Sequence, residues 1–172
     1  AVYCNDRNLA SGQSYSTTDS FNYASRERIR TNKQPTYNCT NLSDAFSVNN
    51  TSAKLDYPVG LMSIDELSYA GGQVDTTLDA PYAWYYTNAN GESSYGSAEF
   101  WSLSPNRWLR SDSNVWSVSG SGDPGHFVTL RLGYSYAVRP AISLKSCIKY
   151  STGDGSASDP YTIQEIGRAS CR

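Results

Sequence analysis

Apolar and polar residues alternate with period two through much of the second half of this 172-residue chain, which predicts a series of short strands. Glu99-Phe100-Trp101-Ser102-Leu103-Ser104-Pro105 alternates and is expected to stop at Pro105. Asn114-Val115-Trp116-Ser117-Val118 and Phe127-Val128-Thr129-Leu130-Arg131-Leu132 repeat the pattern, separated by a Gly/Ser/Pro loop that no helix could cross. Tyr136 to Leu144 reads as a closing strand in which Pro140 demands an edge or a bulge, and Tyr161 to Gln164 as a last short strand. Ala83-Trp84-Tyr85-Tyr86 reads as a strand or short turn, and Asn90-Gly91 as a tight turn.

One helix is written into the pattern. Ser63-Ile64-Asp65-Glu66 is a capping box, Met62 and Leu67 occupy the hydrophobic-staple positions, and Gly71-Gly72 supplies the left-handed stop. A helix over 64–70 follows, with Leu61, Ile64, Leu67 and Tyr69 available to pack on a sheet. Asp65 and Glu66 are both expected to serve its N-terminus. Residues 1–57 alternate short β-like pieces with polar turns. Arg26, Arg28, Arg30 and Lys33 surround Ile29 and read as a solvated strand face, with an anion site as the alternative. The fold expected is α+β: the helix packed on a twisted antiparallel sheet of strands near 100–103, 114–118, 127–132 and 137–144.

Charge and composition narrow the function classes. Charged residues are 17% of the chain and the net charge is -2, so the footprint of a nucleic-acid partner is missing. No apolar run approaches the ~18 residues of a membrane span. A single histidine, His126, excludes chemistries that need two imidazoles. Aromatics at 13%, with 14 tyrosines among them, give the chain the Tyr/Ser/Asn/Gly-rich character of an extracellular binding surface.

The chain begins Ala1-Val2-Tyr3-Cys4 and reads as processed or truncated. Residues 1–165 are expected to form one domain. The segment 166–172 resembles a translated sequencing-adapter read-through and is set aside as a non-native tail, the alternative being a genuine polar end. The cysteines Cys4, Cys39, Cys147 and Cys171 contain no C-x-x-C motif. A Cys4–Cys39 disulfide in an oxidising compartment is expected, with Cys147 free or paired to an upstream segment. Four Asn-x-Ser/Thr triplets between residues 38 and 52 mark an exposed polar loop.

Two motifs carry a resemblance. Trp101-Ser102-Leu103-Ser104-Pro105 and Val138-Arg139-Pro140-Ala141-Ile142-Ser143-Leu144 resemble the W-S-x-S-P and closing V-R-P elements of bacterial surface proteins related to the major-paralogous-domain family. The likeness extends through Val2-Tyr3-Cys4-Asn5-Asp6-Arg7, Leu55-Asp56-Tyr57-Pro58-Val59-Gly60-Leu61, Tyr69-Ala70-Gly71-Gly72, Gly153-Asp154-Gly155 and Ser158-Asp159-Pro160-Tyr161, in order along nearly the whole chain. It implies a C-type-lectin-like (formylglycine-generating-enzyme-like) fold, sometimes carried behind a pilin-type N-terminus. Ser104-Pro105-Asn106 lacks the carboxylate of the calcium-dependent lectins, so no calcium sugar site, and no other cofactor, is expected.

Candidate chemistry follows from these residues. Ser121, Asp123 and His126 share one Gly-rich loop without a nucleophile elbow, so a catalytic triad is not expected. Asp154, Ser156, Ser158 and Asp159 read as a turn and a pre-proline extension rather than a metal site. Asn106, Arg107, Trp108, Arg110, Asp112, Asn114, Tyr134 and Tyr136 concentrate amphipathic groups beside small residues and form the expected ligand-binding set. Within it Trp108 and Arg110, in a loop after Pro105, are the leading contacts, and Trp101 and Trp116 are structural. Arg139 is expected to be mostly buried on a carbonyl or on Glu99, Asp112 or Asp123, with Val138, Ile142 and Leu144 turned to the core. The function expected is non-catalytic recognition or adhesion at a bacterial surface or pilus, extracellular, toward a glycan or protein ligand. The alternatives are a structural assembly subunit and an oxygen-dependent enzyme of the formylglycine-generating type.

Overall fold

The computed structural model describes residues 1–76, 99–110, 112–119, 125–144, 148–154, 159 and 161–163. Ala83 to Tyr86, the Asn90-Gly91 turn, Ser121, Asp123, Cys147, Ser156, Ser158 and the 166–172 tail lie outside them. The described chain is α+β. In chain order it runs through β1 (Tyr3–Cys4), β2 (Phe21–Asn22), α1 (Ala24–Arg26) continued by a π-helical turn Glu27–Asn32, β3 (Ala45–Phe46) and β4 (Val59–Gly60). It continues through α2 (Ile64–Tyr69), β5 (Gln73–Val74), β6 (Phe100–Leu109), β7 (Asp112–Val118), β8 (His126–Arg131), β9 (Ala141–Ile142), β10 (Tyr150–Thr152) and β11 (Thr162–Ile163).

The central sheet has the order β2-β6-β7-β8-β5, antiparallel except for β5, which joins β8 in parallel through Gln73↔His126 and Val74↔Phe127. β1 pairs with β3, β4 with β9 and β10 with β11 as separate two-stranded pieces. The closing segment is therefore corrected. It touches the central sheet at one isolated bridge, Phe100↔Ala137, and then leaves it for β4, where Val59 faces Ile142. Proline explains the departure, because Pro140 has no N–H to continue a ladder.

One face of the sheet forms the core. Phe100, Val118 and Phe127 sit across from one another in register, with Trp116 two residues along β7. Ile29 from the π-helical turn and Ile64 and Leu67 from α2 close over them. The α2 capping box forms as its sequence requires: Ser63 Oγ accepts from the Glu66 amide, and Glu66 Oε2 accepts from the Ser63 amide at 2.7 Å. Tyr69 is corrected. It lies half out of the protein, its ring stacked on Tyr37 at 4.3 Å and its hydroxyl donating to the Pro35 carbonyl.

The basic cluster is likewise corrected, since 24–32 is helical rather than a strand. Its apolar spacing is too short to show that period. Arg28 turns inward, and its guanidinium donates to both oxygens of Asp65 at 2.9 Å and to Asp6 Oδ2 at 2.6 Å. Asp65 also accepts from the Thr36 amide. Asp65 is thus the acceptor that ties two segments, the π-helical turn and the stretch at Thr36, to α2, beyond the helix-end role its position suggests. Burial opposes the Arg28 charge, yet the hydrogen bonds and attraction of Asp65 and Asp6 outweigh it and raise the pKa above its ordinary value.

The disulfide Cys4–Cys39 is present, with the two Cα atoms 5.7 Å apart. Beside it Tyr3 donates its hydroxyl to the carbonyl of Pro58 or Ala141, both at 2.9 Å. Gly60 lies so close to the Tyr3 ring that a Cβ there would overlap it.

Two stability outcomes are expected. Asp65→Ala leaves the largely buried Arg28 guanidinium with Asp6 as its one remaining described carboxylate partner and should cost about 2–4 kcal/mol in urea unfolding, against a few tenths for the exposed Asp75→Ala. Cys4→Ser with Cys39→Ser opens a loop of 35 residues' separation and should lower stability by about 3–4 kcal/mol in the same measurement.

Candidate functional site

β6 decides where the expected binding residues go. It does not stop at Pro105 but runs ten residues to Leu109, which corrects the loop expected after the proline. Pro105 is tolerated because the ladder to β7 is irregular on both sides of it, between Trp101 and Pro105 and again between Pro105 and Arg107. The second irregularity has a chemical consequence. Pro105 opposes Val115 while Arg107 opposes Asn114, so β6 spends two residues where β7 spends one. Asn106 and Arg107 are thereby brought toward one side, and the alternation is reversed from Trp108 onward. Trp108 opposes Ser113 and so faces away from the side that carries Trp116.

That reversal creates an aromatic groove. Trp108 stacks on Phe21 of β2, its register partner, with centroids 5.6 Å apart and planes 17° apart. Tyr15 and Tyr23 meet Phe21 edge-on at 5.4 and 5.6 Å. Tyr15, Ser16, Thr17, Phe21 and Trp108 line an open groove of about 520 Å³. Tyr15 is largely exposed and its hydroxyl donates to the Arg7 carbonyl at 2.9 Å. Partial burial is the main cause that raises the Tyr23 phenol above its ordinary pKa.

The remaining expected residues separate into groups. Tyr134 and Tyr136 form a second aromatic cluster with Trp101: Tyr136 meets the indole edge-on at 4.9 Å and Tyr134 at 6.3 Å. Desolvation first, and then the Glu99 carboxylate, raise the Tyr136 phenol. Arg110 is the exposed tip of the β6–β7 hairpin, in left-handed conformation at φ 53. Asp112 pairs with Arg131 at 3.3 Å, and Asn114 is buried, donating to the Asp112 carbonyl. Asn106 is fully buried, so direct contact by its side chain with a ligand at the open surface is corrected to a place inside the protein. Trp116 is fully buried and Trp101 half-buried.

Arg139 is half-buried, with its guanidinium 4.4 Å from the Phe100 ring centroid, so an aromatic face takes part in holding it. Asp112 belongs to Arg131. Val138, Ile142 and Leu144 are exposed, which corrects their expected inward alternation and follows from the segment's exit from the central sheet. Asp154 donates its amide to the Asp159 carbonyl, a turn contact. Among the described residues no helix is long and apolar enough to cross a membrane.

Sequence reasoning missed Tyr15, Ser16, Thr17 and Phe21. The one signal for them was a pair of aromatics, Tyr15 and Phe21, inside an otherwise polar stretch. Two other cavities flank the helices. One of about 520 Å³ lies between the π-helical turn and β5, bordered by Arg30, Lys33 and Asp75, and one of about 160 Å³ lies beside the disulfide. Compared with protein-family models, curated proteins and solved structures, the chain matches none.

Arg139→Ala should lower the thermal midpoint by the equivalent of about 1 kcal/mol or more through the lost ring contact, with Arg139→Lys retaining part of it. Differential scanning calorimetry of the two variants checks this.

Proposed function

We propose that this chain is a non-catalytic extracellular recognition domain of a bacterial surface or pilus-associated protein, C-type-lectin-like in fold, that binds a glycan or protein ligand at the Trp108 groove. The observation that carries the reading is the half-buried Trp108 ring, backed by its stacking on buried Phe21, beside the exposed Tyr15 ring and the Ser16 and Thr17 hydroxyls in the open groove. Such a surface offers flat apolar faces for the C–H side of a sugar ring or for an apolar side chain. The hydroxyls beside it donate and accept hydrogen bonds from polar substituents. Stiff aromatic anchors lose few rotamers on binding, so contact area converts to affinity efficiently. Arg110 at the hairpin tip and the Tyr134/Tyr136 cluster extend the same chemistry outward. The W-S-x-S-P and V-R-P resemblance supports the surface-protein setting, and the Cys4–Cys39 disulfide agrees with an oxidising compartment.

A second reading has its own observation. Val59 and Ile142, paired across β4 and β9, are exposed together with Val138 and Leu144, as are Tyr150, Tyr161 and Ile163 on β10–β11 and just before it. Exposed apolar residues in such number favour packing against a neighbour in a surface assembly.

Glycan and protein-ligand arrays probed with the purified chain test the first reading. Binding above background that falls about thirtyfold or more in Trp108→Ala with Arg110→Ala supports it. Binding unchanged by that double substitution, or none at all, overturns it. In parallel, sedimentation velocity that shows concentration-dependent association, abolished by Ile142→Ser, would favour the assembly subunit.

A further inference from the structure

The bulge in β6 leaves hydrogen-bond donors inside the protein with nothing to donate to. Asn106 is fully buried, its Oδ1 accepting from Arg26 Nη1 at 3.0 Å, while its Nδ2 has no acceptor. The amide orientation is fixed by that contact, because a flip would set its NH2 against the guanidinium. Arg107 Nε, one residue along, is also buried and without an acceptor. The described ion pairs engage Arg7, Arg28, Arg30 and Arg131, and none of them reaches Arg26 or Arg107. Among the described residues the carboxylate that acts on Arg26 is Asp75, and it is already held by Arg30 at 2.9 Å.

Burial, then repulsion from Arg107 and from Arg30, lowers the Arg26 pKa below its ordinary value. The Arg26 and Arg107 guanidiniums thus repel one another, with the attraction of Asp75 too small to offset burial and repulsion, beside an amide N–H that has no acceptor. Burying donors without acceptors costs free energy that a protein ordinarily avoids. The backbone holds the arrangement in place: the Tyr23 amide donates to the Asn106 carbonyl at 3.0 Å, and Ser25 Oγ donates to the Pro105 carbonyl.

We propose that Arg26, Arg107 and Asn106 form a site for a single oxyanion group, a carboxylate, sulfate or phosphate, at the β6 bulge. Forked guanidinium donors match two oxygens of such a group, and the Asn106 amide supplies a third, neutral donor. The site lies on the side of β6 opposite to Trp108, so it stands or falls independently of the aromatic groove.

Isothermal titration of the intact chain with acetate, sulfate and phosphate, each against chloride at equal ionic strength, tests it and distinguishes the three chemistries. Saturable one-site binding of at least one of them is expected, weakened tenfold or more in Arg107→Gln and in Arg26→Gln. Arg131→Gln, which removes the same charge from an exposed pair, should bind as the parent does. Equal affinity in Arg107→Gln and Arg131→Gln would overturn the proposal, as would no binding beyond chloride with all three anions. Should Arg107→Gln fail to fold, the Arg107 Nε–Hε resonance of the parent, assigned through Arg107→Lys, gives the same reading. A shift that saturates with the anion but not with chloride supports the site, and an unmoved resonance overturns it.

Discussion

Trp116 sits at 0% exposure in the middle of β7, and its indole N–H must be satisfied there. It donates to Ser25 Oγ at 3.2 Å, and Ser25 in turn donates to the Pro105 carbonyl. Ser102 Oγ donates to the Trp116 carbonyl at 2.7 Å. Two strands and α1 are fixed to one another by this single chain of buried groups. Ser104 repeats the device toward the other helix, its Oγ accepting from the Ile64 amide at 3.0 Å at the start of α2. The core is accordingly a mixed one. Among the described residues seven apolar side chains supply its mass, and buried serines tie the helices to the sheet.

Pro105 is where this arrangement and the surface meet. Its carbonyl is bound to α1, so the strand cannot relax there, and the proline offers no N–H to the ladder. The extra residue that follows redistributes four side chains: Asn106 and Arg107 toward the interior side, Trp108 away from it, Arg110 to the hairpin tip. A ten-residue strand in strict alternation would have placed Trp108 on the core side beside Asn106. The groove thus rests on an irregularity rather than on the strand pattern.

The N-terminal segment is held by charge as well as by its buried Tyr3, Phe21 and Ile29. Arg28 reaches Asp65 and Asp6, Arg7 reaches Asp44 with its Nε at 2.5 Å, and the disulfide closes the same region. Arg28 and its two acids are mostly out of water, so these contacts carry weight that an exposed pair would not. They bring Tyr15 and Phe21 to β6. The polar stretch that reads as turns in isolation becomes one wall of the groove.

Local rules were legible without the fold. The capping box of Ser63 and Glu66 needs only neighbouring residues, and period-two alternation placed β7 and β8, because both signals are short-range. The α+β class and the Cys4–Cys39 disulfide were also readable, as was the structural place of Trp116. Tertiary structure decided the rest. Whether Pro105 ends a strand depends on the bulges that its partner strand allows, and the outward turn of Val138 and Ile142 depends on Pro140 sending the chain to β4. The parallel addition of β5, the inward turn of Arg28 and the union of Phe21 with Trp108 join residues far apart in sequence. No local pattern encodes such contacts, since each is selected by the requirement that buried donors and charges find partners across the whole molecule.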